Sequence, residues 1–127
     1  MGIFGIGTDI VKVSRINKLI IRKKFLHRLF NKDEIKRCNK SKNPSSCYAK
    51  RFAAKEAFSK AMGTGISKGI NFNEIVIFNE KNGKPFIKLM NKTKKNVEQK
   101  FKKKKYKISV SLTDEDNYAV AFVAISL

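Results

Sequence analysis

The sequence predicts a single α+β domain in which a mainly antiparallel sheet packs against one long helix. The chain has 127 residues, which is enough for one compact domain and too few for two ordinary ones. A well-defined helical segment begins near Pro44, and two pairs of alternating apolar segments are each joined by a short turn. We therefore expect residues 1–127 to fold as one domain.

The N-terminal third predicts one strand followed by two short helices. Residues 2–13 alternate glycines with β-branched and aromatic residues, as in a strand that approaches other backbone closely. Residues 14–24 have apolar side chains at helical spacing, with Ser14 as the candidate N-cap. Asn31 and Glu34 have the spacing of a capping box, which predicts a short helix to about Arg37.

The long helix has clear signals at both ends. Asn43 followed by Pro44 predicts its start, because proline at the first helical position loses no needed hydrogen bond. The segment Gly63-Thr64-Gly65 predicts its end. Between them, alanines recur every four residues and predict a face on which another element packs very closely: Ala49, Ala53, Ala57 and Ala61.

The C-terminal half predicts two hairpins separated by a helix. Asn82-Gly83 lies between two apolar segments, and this dipeptide is typical of a tight hairpin turn. Residues 90–101 are compatible with a helix, and they precede a solvated lysine run at 102–105. Segments 108–112 and 119–125 then alternate around an acidic turn at 113–117. We expect the aromatic side chains of these strands to point into the core.

The charge favours acidic partners without identifying one. The formal net charge is +19, which suits nucleic acid, an acidic protein or a polyphosphate ligand. However, most of the cations are lysines, and abundant Lys, Asn and Ile also follow from an AT-rich coding sequence. Arginine, which binds phosphates and bases in bidentate fashion, is scarce. A small basic nucleic-acid-binding protein therefore remains an alternative interpretation.

Several classes of protein are excluded at this stage. No apolar run approaches the length of a membrane helix, and the N-terminus lacks the features of a signal peptide. We therefore expect a cytoplasmic protein that does not bind membranes. Two cysteines and one histidine predict neither a disulfide framework nor a zinc site, so we expect Cys38 and Cys47 to be inert thiols.

Two of the ten carboxylates are candidates for chemistry. Asp9 lies in an otherwise uncharged strand, and Glu56 lies in the long helix one turn before Lys60. Capping of a turn by Asp9 and an ordinary ion pair between Glu56 and Lys60 would explain both residues without function. Two carboxylates are also how proteins commonly hold Mg²⁺, with water and substrate phosphates completing the coordination. Lys60, Arg51 and Lys55 are cations on the same helix that could reach a phosphate.

Two blocks of the sequence decide between these alternatives. GIGTDIVKVSRI at 5–16 and KRFAAKEAFSKAMGTGI at 50–66 closely resemble the two signature blocks of holo-[acyl-carrier-protein] synthases, the small bacterial class of 4′-phosphopantetheinyl transferases. In that family the blocks read G-[IL]-G-x-D and R-F-x-x-K-E-A-x-x-K-A-x-G-T-G. Weaker agreement covers nearly the whole chain.

The resemblance implies the family's fold, its reaction and a set of site residues. The reaction transfers phosphopantetheine from coenzyme A to a serine of apo acyl carrier protein, with release of adenosine 3′,5′-bisphosphate, in support of fatty acid biosynthesis. Asp9 and Glu56 align with the Mg²⁺ ligands, and Lys60 aligns with the lysine near the pyrophosphate. Gly63, Thr64 and Arg51 align with residues that contact coenzyme A. Either Glu56 or a metal-bound water would accept the proton of the serine.

The resemblance also implies partners. The family forms homotrimers with sites between subunits, which would suit the bare alanine row. Four basic residues would face the acidic recognition helix of the carrier protein: Arg15, Lys18, Arg22 and Lys23. Two positions depart from the family pattern, since Lys12 replaces a frequent acid and Ser109 replaces a frequent histidine. Neither departure affects the proposed metal ligands.

Overall fold

A computed structural model describes residues 2–63 and 69–127 of the chain. Within these residues, helices and strands follow the predicted order, which confirms the α+β class. The elements are β1 (Ile3–Lys12), α1 (Val13–Ile20), α2 (Lys23–Leu29), α3 (Lys32–Asn39), α4 (Pro44–Met62), β2 (Ile75–Asn79), β3 (Pro85–Leu89), α5 (Asn91–Lys100), β4 (Lys107–Glu115) and β5 (Tyr118–Ser126).

The strands form two antiparallel sheets. The larger sheet has the order β1-β5-β4, with Thr8 opposite Phe122 and Phe122 opposite Ser111, and the smaller one is the β2-β3 hairpin. The long helix α4 packs on one face of the larger sheet, where Val11, Ala121 and Val123 are buried. This arrangement is the predicted one of a sheet against a long helix.

The opposite face of the larger sheet is apolar and open. Ile6, Ile10 and Phe122 are 58%, 64% and 44% exposed on this face. The prediction that the strand aromatics point into the core is therefore wrong for Phe122 and Tyr118, because α4 covers only one of the two faces. We call the residues Ile6, Ile10, Tyr118 and Phe122 the outer sheet face.

The alanine row of α4 is buried against β1 of the same chain. Ala49, Ala53, Ala57 and Ala61 are at most 4% exposed. A Cβ atom added at Gly7 would lie 1.9 Å from the carbonyl oxygen of Ala57. The prediction of a very close packing face is confirmed, and its partner is β1. The row is consequently not available between subunits, which corrects the expectation that it would suit a trimer interface.

Local end signals predicted three helix boundaries correctly. Asn31 accepts a hydrogen bond from Asp33 N, and Glu34 accepts one from Asn31 N, which completes the capping box of α3. Asn43 caps α4 through Ser46 N, and Gly63 ends α4 with a φ of 89°. These signals depend only on neighbouring residues, so they could be predicted from the sequence alone.

The segment predicted as one helix over 14–24 is two helices. α1 ends at Ile20 and α2 begins at Lys23. Ser14 lies inside α1 and is not its cap; Asn117, in the β4–β5 turn, accepts from Ser14 N at 3.1 Å instead. The cap therefore comes from a residue that is distant in sequence.

The cysteines are joined, contrary to the expectation of inert thiols. Cys38 near the end of α3 and Cys47 in the first turns of α4 form a disulfide, with their Cα atoms 5.3 Å apart. The loop between the helices turns the chain back, and both sulfurs then face each other in the packed contact between α3 and α4. The bridge closes the segment that contains Lys40 and Lys42.

Across residues 2–63 and 69–127, no helix is both long and apolar enough to cross a membrane.

Candidate active site

Asp9 and Lys60 are brought together by the close packing of β1 on α4. Lys60 Nζ lies 3.1 Å from Asp9 Oδ1 and also donates to the carbonyl oxygen of Thr8 at 3.0 Å. The Asp9 side chain is 16% exposed and that of Lys60 is 56% exposed, so the pair borders solvent. The absence of side chains at Gly5 and Gly7 allows this approach.

Glu56 belongs to the same cluster. Burial raises the pKa of Glu56 above its ordinary value, and the charge of Asp9 raises it further, whereas Lys60 and Arg15 oppose the shift. A carboxylate close enough to Asp9 to feel its charge is a candidate partner for it in binding a cation. The structure thus brings together the three residues that the sequence predicted as catalytic.

The two carboxylates have the chemistry of a Mg²⁺ site that substrate must complete. Their oxygens are the hard donors that Mg²⁺ prefers, and a cation would relieve the repulsion that raises the pKa of Glu56. Among the described residues, no group of three or more Asp, Glu, His or Cys side chains could hold a metal by itself. Asp9 and Glu56 therefore fit a metal that is also coordinated by water and phosphate.

The C-terminal end of α4 continues the cluster toward solvent. Gly63 is exposed, and its N–H donates to the carbonyl oxygens of Ser59 and Lys60. Among the described residues, apart from its neighbours in the chain, no atom lies within 4 Å of the position that a Cβ on Gly63 would take. Thr64, the other predicted coenzyme A contact at this end, lies outside the described residues.

Arg51 lies in a different place from the cluster. It is buried, its Nη2 donates to Asn79 Oδ1 at 2.7 Å and its Nη1 to Cys47 Sγ at 3.3 Å. Burial lowers the pKa of Arg51. Arg51 Nε is a buried donor with no partner among the described residues.

Arg51 lines a cavity of about 740 Å³ with a basic wall. The cavity lies between α3, the start of α4 and the β2–β3 hairpin, and Asp114 contributes to its wall. Its other cations are Lys36, Arg37, Lys40, Lys42 and Lys50. This concentration of positive charge suits a phosphate-bearing ligand.

Lys55 is unavailable to a substrate, contrary to the suggestion that it could reach a phosphate. Its side chain is fully buried and donates to Glu34 Oε1 at 2.8 Å and to the carbonyl oxygens of Phe72 and Ile75. Burial lowers the pKa of Lys55 to about 8, although Glu34 opposes the shift. Lys55 instead joins α4 to α3 and to β2. The sequence gives no signal of this role, because Lys55 follows Lys50 and precedes Lys60 at the same spacing on α4 and neither of those lysines is buried.

The four residues predicted to bind a carrier protein are exposed, but they lie on two helices and the turn between them. Arg15 and Lys18 belong to α1, Lys23 begins α2, and Arg22 lies between the helices. Phe25, which the sequence analysis missed, lies 5.8 Å from the guanidinium carbon of Arg22 and 5.7 Å from that of Arg28. These contacts order the two arginines around an aromatic ring.

The two departures from the family pattern are both exposed. Lys12 ends β1, and Ser109 lies on β4 opposite Ala124. Neither residue lines the cavity around Arg51.

Comparisons with known proteins identify the family of the chain. Residues 5–123 match the model of the 4′-phosphopantetheinyl transferase superfamily. The chain is 45% identical to holo-[acyl-carrier-protein] synthase from Pelagibacter ubique (strain HTCC1062) over 125 residues, which is 98% of each protein. The chain belongs to the holo-[acyl-carrier-protein] synthase family.

Solved structures of this family share the whole fold. The holo-[acyl-carrier-protein] synthase of Neisseria meningitidis superposes with a TM-score of 0.87 at 36% identity, covering 98% of this chain and 99% of the other. The Helicobacter pylori enzyme, solved in complex with coenzyme A, gives a TM-score of 0.79 at 35% identity, covering 95% and 99%. The predicted family, fold and enzyme class are confirmed: the chain is a 4′-phosphopantetheinyl transferase. Membership in the holo-[acyl-carrier-protein] synthase family favours this interpretation over nucleic-acid binding.

Proposed function

We propose that the chain transfers 4′-phosphopantetheine from coenzyme A to a serine of apo acyl carrier protein, in a Mg²⁺-dependent reaction that releases adenosine 3′,5′-bisphosphate. The carrier would then serve fatty acid biosynthesis. The observation that carries the proposal is the cluster of Asp9, Glu56 and Lys60 beside the exposed end of α4. Coenzyme A is proposed as the co-substrate because the Helicobacter pylori relative was solved in complex with it.

In the proposed reaction, the serine oxygen bonds to the phosphorus that carries pantetheine. The bond from that phosphorus to the bridging pyrophosphate oxygen breaks, and adenosine 3′,5′-bisphosphate leaves. Asp9 and Glu56 would hold Mg²⁺, which when bound withdraws charge from the phosphate oxygens. Lys60, at the solvent border, would neutralise the charge that develops on the pyrophosphate. The Glu56 carboxylate is the group of this cluster that would accept the proton of the serine.

Intact mass spectrometry tests the reaction and its metal carboxylate together. The protein is incubated with coenzyme A, Mg²⁺ and an apo acyl carrier protein, and the carrier is then weighed. We expect a phosphopantetheine-sized gain with wild type and none with Glu56→Ala. The matched control is Glu80→Ala, which removes an exposed glutamate from the β2–β3 turn and should leave the gain intact. No gain with several carriers from folded wild-type protein would refute the proposal.

We also propose that two copies of the chain complete each site, in a homotrimer. Arg51 precedes Lys60 by nine residues of one helix, so the two side chains project about 180° apart and are separated by about 13 Å along the axis. One coenzyme A molecule cannot place its pyrophosphate at Lys60 and its remaining phosphate at the Arg51 of the same copy across α4. Arg51 of a neighbouring copy would therefore supply the nucleotide contact.

The outer sheet face is the surface proposed to join the copies. Ile6, Ile10 and Phe122 form an exposed apolar area on the face of the larger sheet that α4 leaves open, opposite to the face that carries Asp9. Exposed apolar areas of this kind mark interfaces. Sedimentation of the wild type and of Ile10→Lys tests this interface. We expect the wild type to be a trimer and Ile10→Lys to be a monomer. A wild-type monomer at working concentration would refute the proposed trimer.

Mixing two inactive variants tests whether sites are shared. Lys60→Ala and Arg51→Ala should each fail alone, and random assembly of equal amounts should restore roughly a quarter of the sites. Restoration requires that an intact Lys60 in one copy meets an intact Arg51 in the next. No recovery after exchange of subunits would contradict a shared site.

The exposed basic surface of α1 and α2 is proposed to bind the acidic carrier protein. Arg15 is close enough to Glu56 to oppose its pKa shift, so a carrier bound to Arg15 would lie next to the cluster. Arg15→Ala combined with Arg22→Ala should raise the KM for the carrier and leave binding of coenzyme A unchanged. The effect should weaken with added salt. An unchanged carrier KM would refute the assignment.

We place the reaction in the cytoplasm, with carrier and coenzyme A as its partners and with neither a membrane nor a nucleic acid. Disulfides are uncommon in that reducing compartment, so we expect the Cys38–Cys47 bridge of the structure to be open in the cell and to close when the protein is oxidised after lysis. Alkylation of cells before lysis, followed by mass spectrometry, should therefore label both cysteines. A quantitative disulfide in freshly trapped protein would contradict this location.

A further inference from the structure

The first turn of α1 is held by a residue from the opposite end of the chain. Asn117 Oδ1 accepts from Ser14 N at 3.1 Å, and Asn117 Nδ2 donates to Ser14 Oγ at 3.1 Å. The carbonyl oxygen of Asn117 also accepts from Val13 N at 2.8 Å. Three hydrogen bonds thus join the β4–β5 turn to the start of α1.

This attachment compensates for a weak helix start. The residue before α1 is Lys12, whose side chain makes no capping hydrogen bond, and the first turn contains no acidic residue. α1 has only eight residues, and isolated helices of that length are marginal in water. Its buried side chains are Val13 and Ile16, so the polar side of the first turn depends on Asn117.

Arg15 is the next residue after the bonded turn. It is exposed on α1, which follows directly after β1 and packs against α4, the two elements that carry Asp9, Glu56 and Lys60. A first turn that frays would release Arg15 from this position, because the backbone of Ser14 would no longer be fixed. The amide of Asn117 therefore fixes where the carrier-binding cation lies.

We infer that Asn117 is a positioning residue for carrier binding: its side chain holds the first turn of α1 so that Arg15 meets the carrier protein beside the catalytic cluster. The inference rests on the proposed function, since it concerns docking of the carrier. Among the described residues, the hydrogen bonds of the Asn117 side chain go to Ser14, so the inference assigns its effect to α1.

Steady-state kinetics with apo carrier and coenzyme A test the inference. Asn117→Ala should raise the carrier KM about threefold to tenfold, the range expected for loss of a helix cap, with kcat and the coenzyme A KM within about twofold. Asn117→Asp keeps the acceptor for Ser14 N and should restore the wild-type carrier KM. If Asn117→Ala does not fold, Asn117→Gln takes its place in the test. Asn117→Gln keeps the amide but displaces its oxygen, so it should raise the carrier KM about threefold to tenfold.

A double-mutant cycle separates positioning from general loosening of the fold. In an Arg15→Ala background, Asn117→Ala should cause no further rise in carrier KM, because the positioned cation is already absent. Asn82→Ala is the matched control, since Asn82 also lies in a hairpin turn and accepts from a backbone N–H, that of Lys84. This control should leave the carrier KM unchanged.

Three outcomes would overturn the inference while the proposed function stands: an unchanged carrier KM in Asn117→Ala, an additive effect with Arg15→Ala, or an equal rise in the coenzyme A KM. Absence of transfer by wild-type protein would instead overturn the proposed function, and this inference with it.

Discussion

Substitution of Gly7 by alanine tests whether the approach of β1 to α4 builds the site. The added Cβ would lie 1.9 Å from the carbonyl oxygen of Ala57, 2.8 Å from the backbone nitrogen of Ala61 and 2.9 Å from the carbonyl carbon of Ala57. Cβ contacts below 3.0 Å essentially never occur, so β1 and α4 must separate by about 1.1 Å. Both sides of the contact are backbone, and neither can relieve the overlap by rotating a side chain.

The expected cost of this overlap follows from the packing of the core. Overpacking a close-packed interior usually costs about 1–3 kcal/mol, and we expect Gly7→Ala at the upper end because backbone must move. Asp9 follows Gly7 on the same face of β1, so its carboxylate would move away from Lys60, now 3.1 Å distant. A misplacement of about 1 Å can lower the rate of transfer about a hundredfold.

Urea unfolding and the transfer assay measure the two effects separately. Gly2→Ala is the matched control and should match wild type in both assays, because none of the atoms that the structure describes, apart from its chain neighbours, lies within 4 Å of the position that its Cβ would take. If Gly7→Ala were within about 0.5 kcal/mol of wild type in its free energy of unfolding, the close approach would not be a constraint on the fold. Full activity in a destabilised Gly7→Ala would refute the link to Asp9.

Three further predictions concern other parts of the fold. Burial and Asp9 raise the pKa of Glu56, so its charged form opposes folding. Without metal, Glu56→Gln should therefore raise the melting temperature at neutral pH but not in acid below the ordinary glutamate pKa. An equal rise in melting temperature at both pH values would contradict this prediction. Lys55→Ala should cost about 3–5 kcal/mol by leaving Glu34 buried and unpaired, whereas Lys50→Ala, at a half-exposed ion pair, should cost less than about 1 kcal/mol in the same unfolding experiment. The disulfide between α3 and α4 closes a loop with a sequence separation of nine. Its reduction should lower the free energy of unfolding by about 3 kcal/mol. Identical unfolding curves with and without reductant would refute this prediction.

The sequence predicted the features that depend on neighbouring residues or on a distinctive motif. The capping box of Asn31 and Glu34, the start at Asn43 and the end at Gly63 are each specified within four residues. Asp9 and Glu56 were found because carboxylates are few in this chain and because their surroundings resemble a family signature. Their meeting in space follows from the glycines of β1, which the strand pattern also indicated.

Features that depend on distant packing were not predictable. The sequence does not distinguish Arg51 from Lys55, since both are cations of α4. In the structure Arg51 lines a basic cavity, whereas Lys55 is buried and bonded to Glu34 of α3. The sheet covers one side of α4, and α1 and α3 cover another. The helix therefore has no simple polar face from which the exposure of each side chain could be predicted. The cap from Asn117 was equally hidden, because 103 residues separate it from Ser14.

The strand order β1-β5-β4 also governs how the chain folds as it is synthesised. β1 is complete after 12 residues, but its sheet partner β5 begins only at Tyr118. Until β5 leaves the ribosome, the apolar side chains of β1 have no strand beside them, and its backbone groups are open to pairing with another nascent chain. Non-local pairings of this kind are slow to form, so β1 stays unpaired until β5 has been translated.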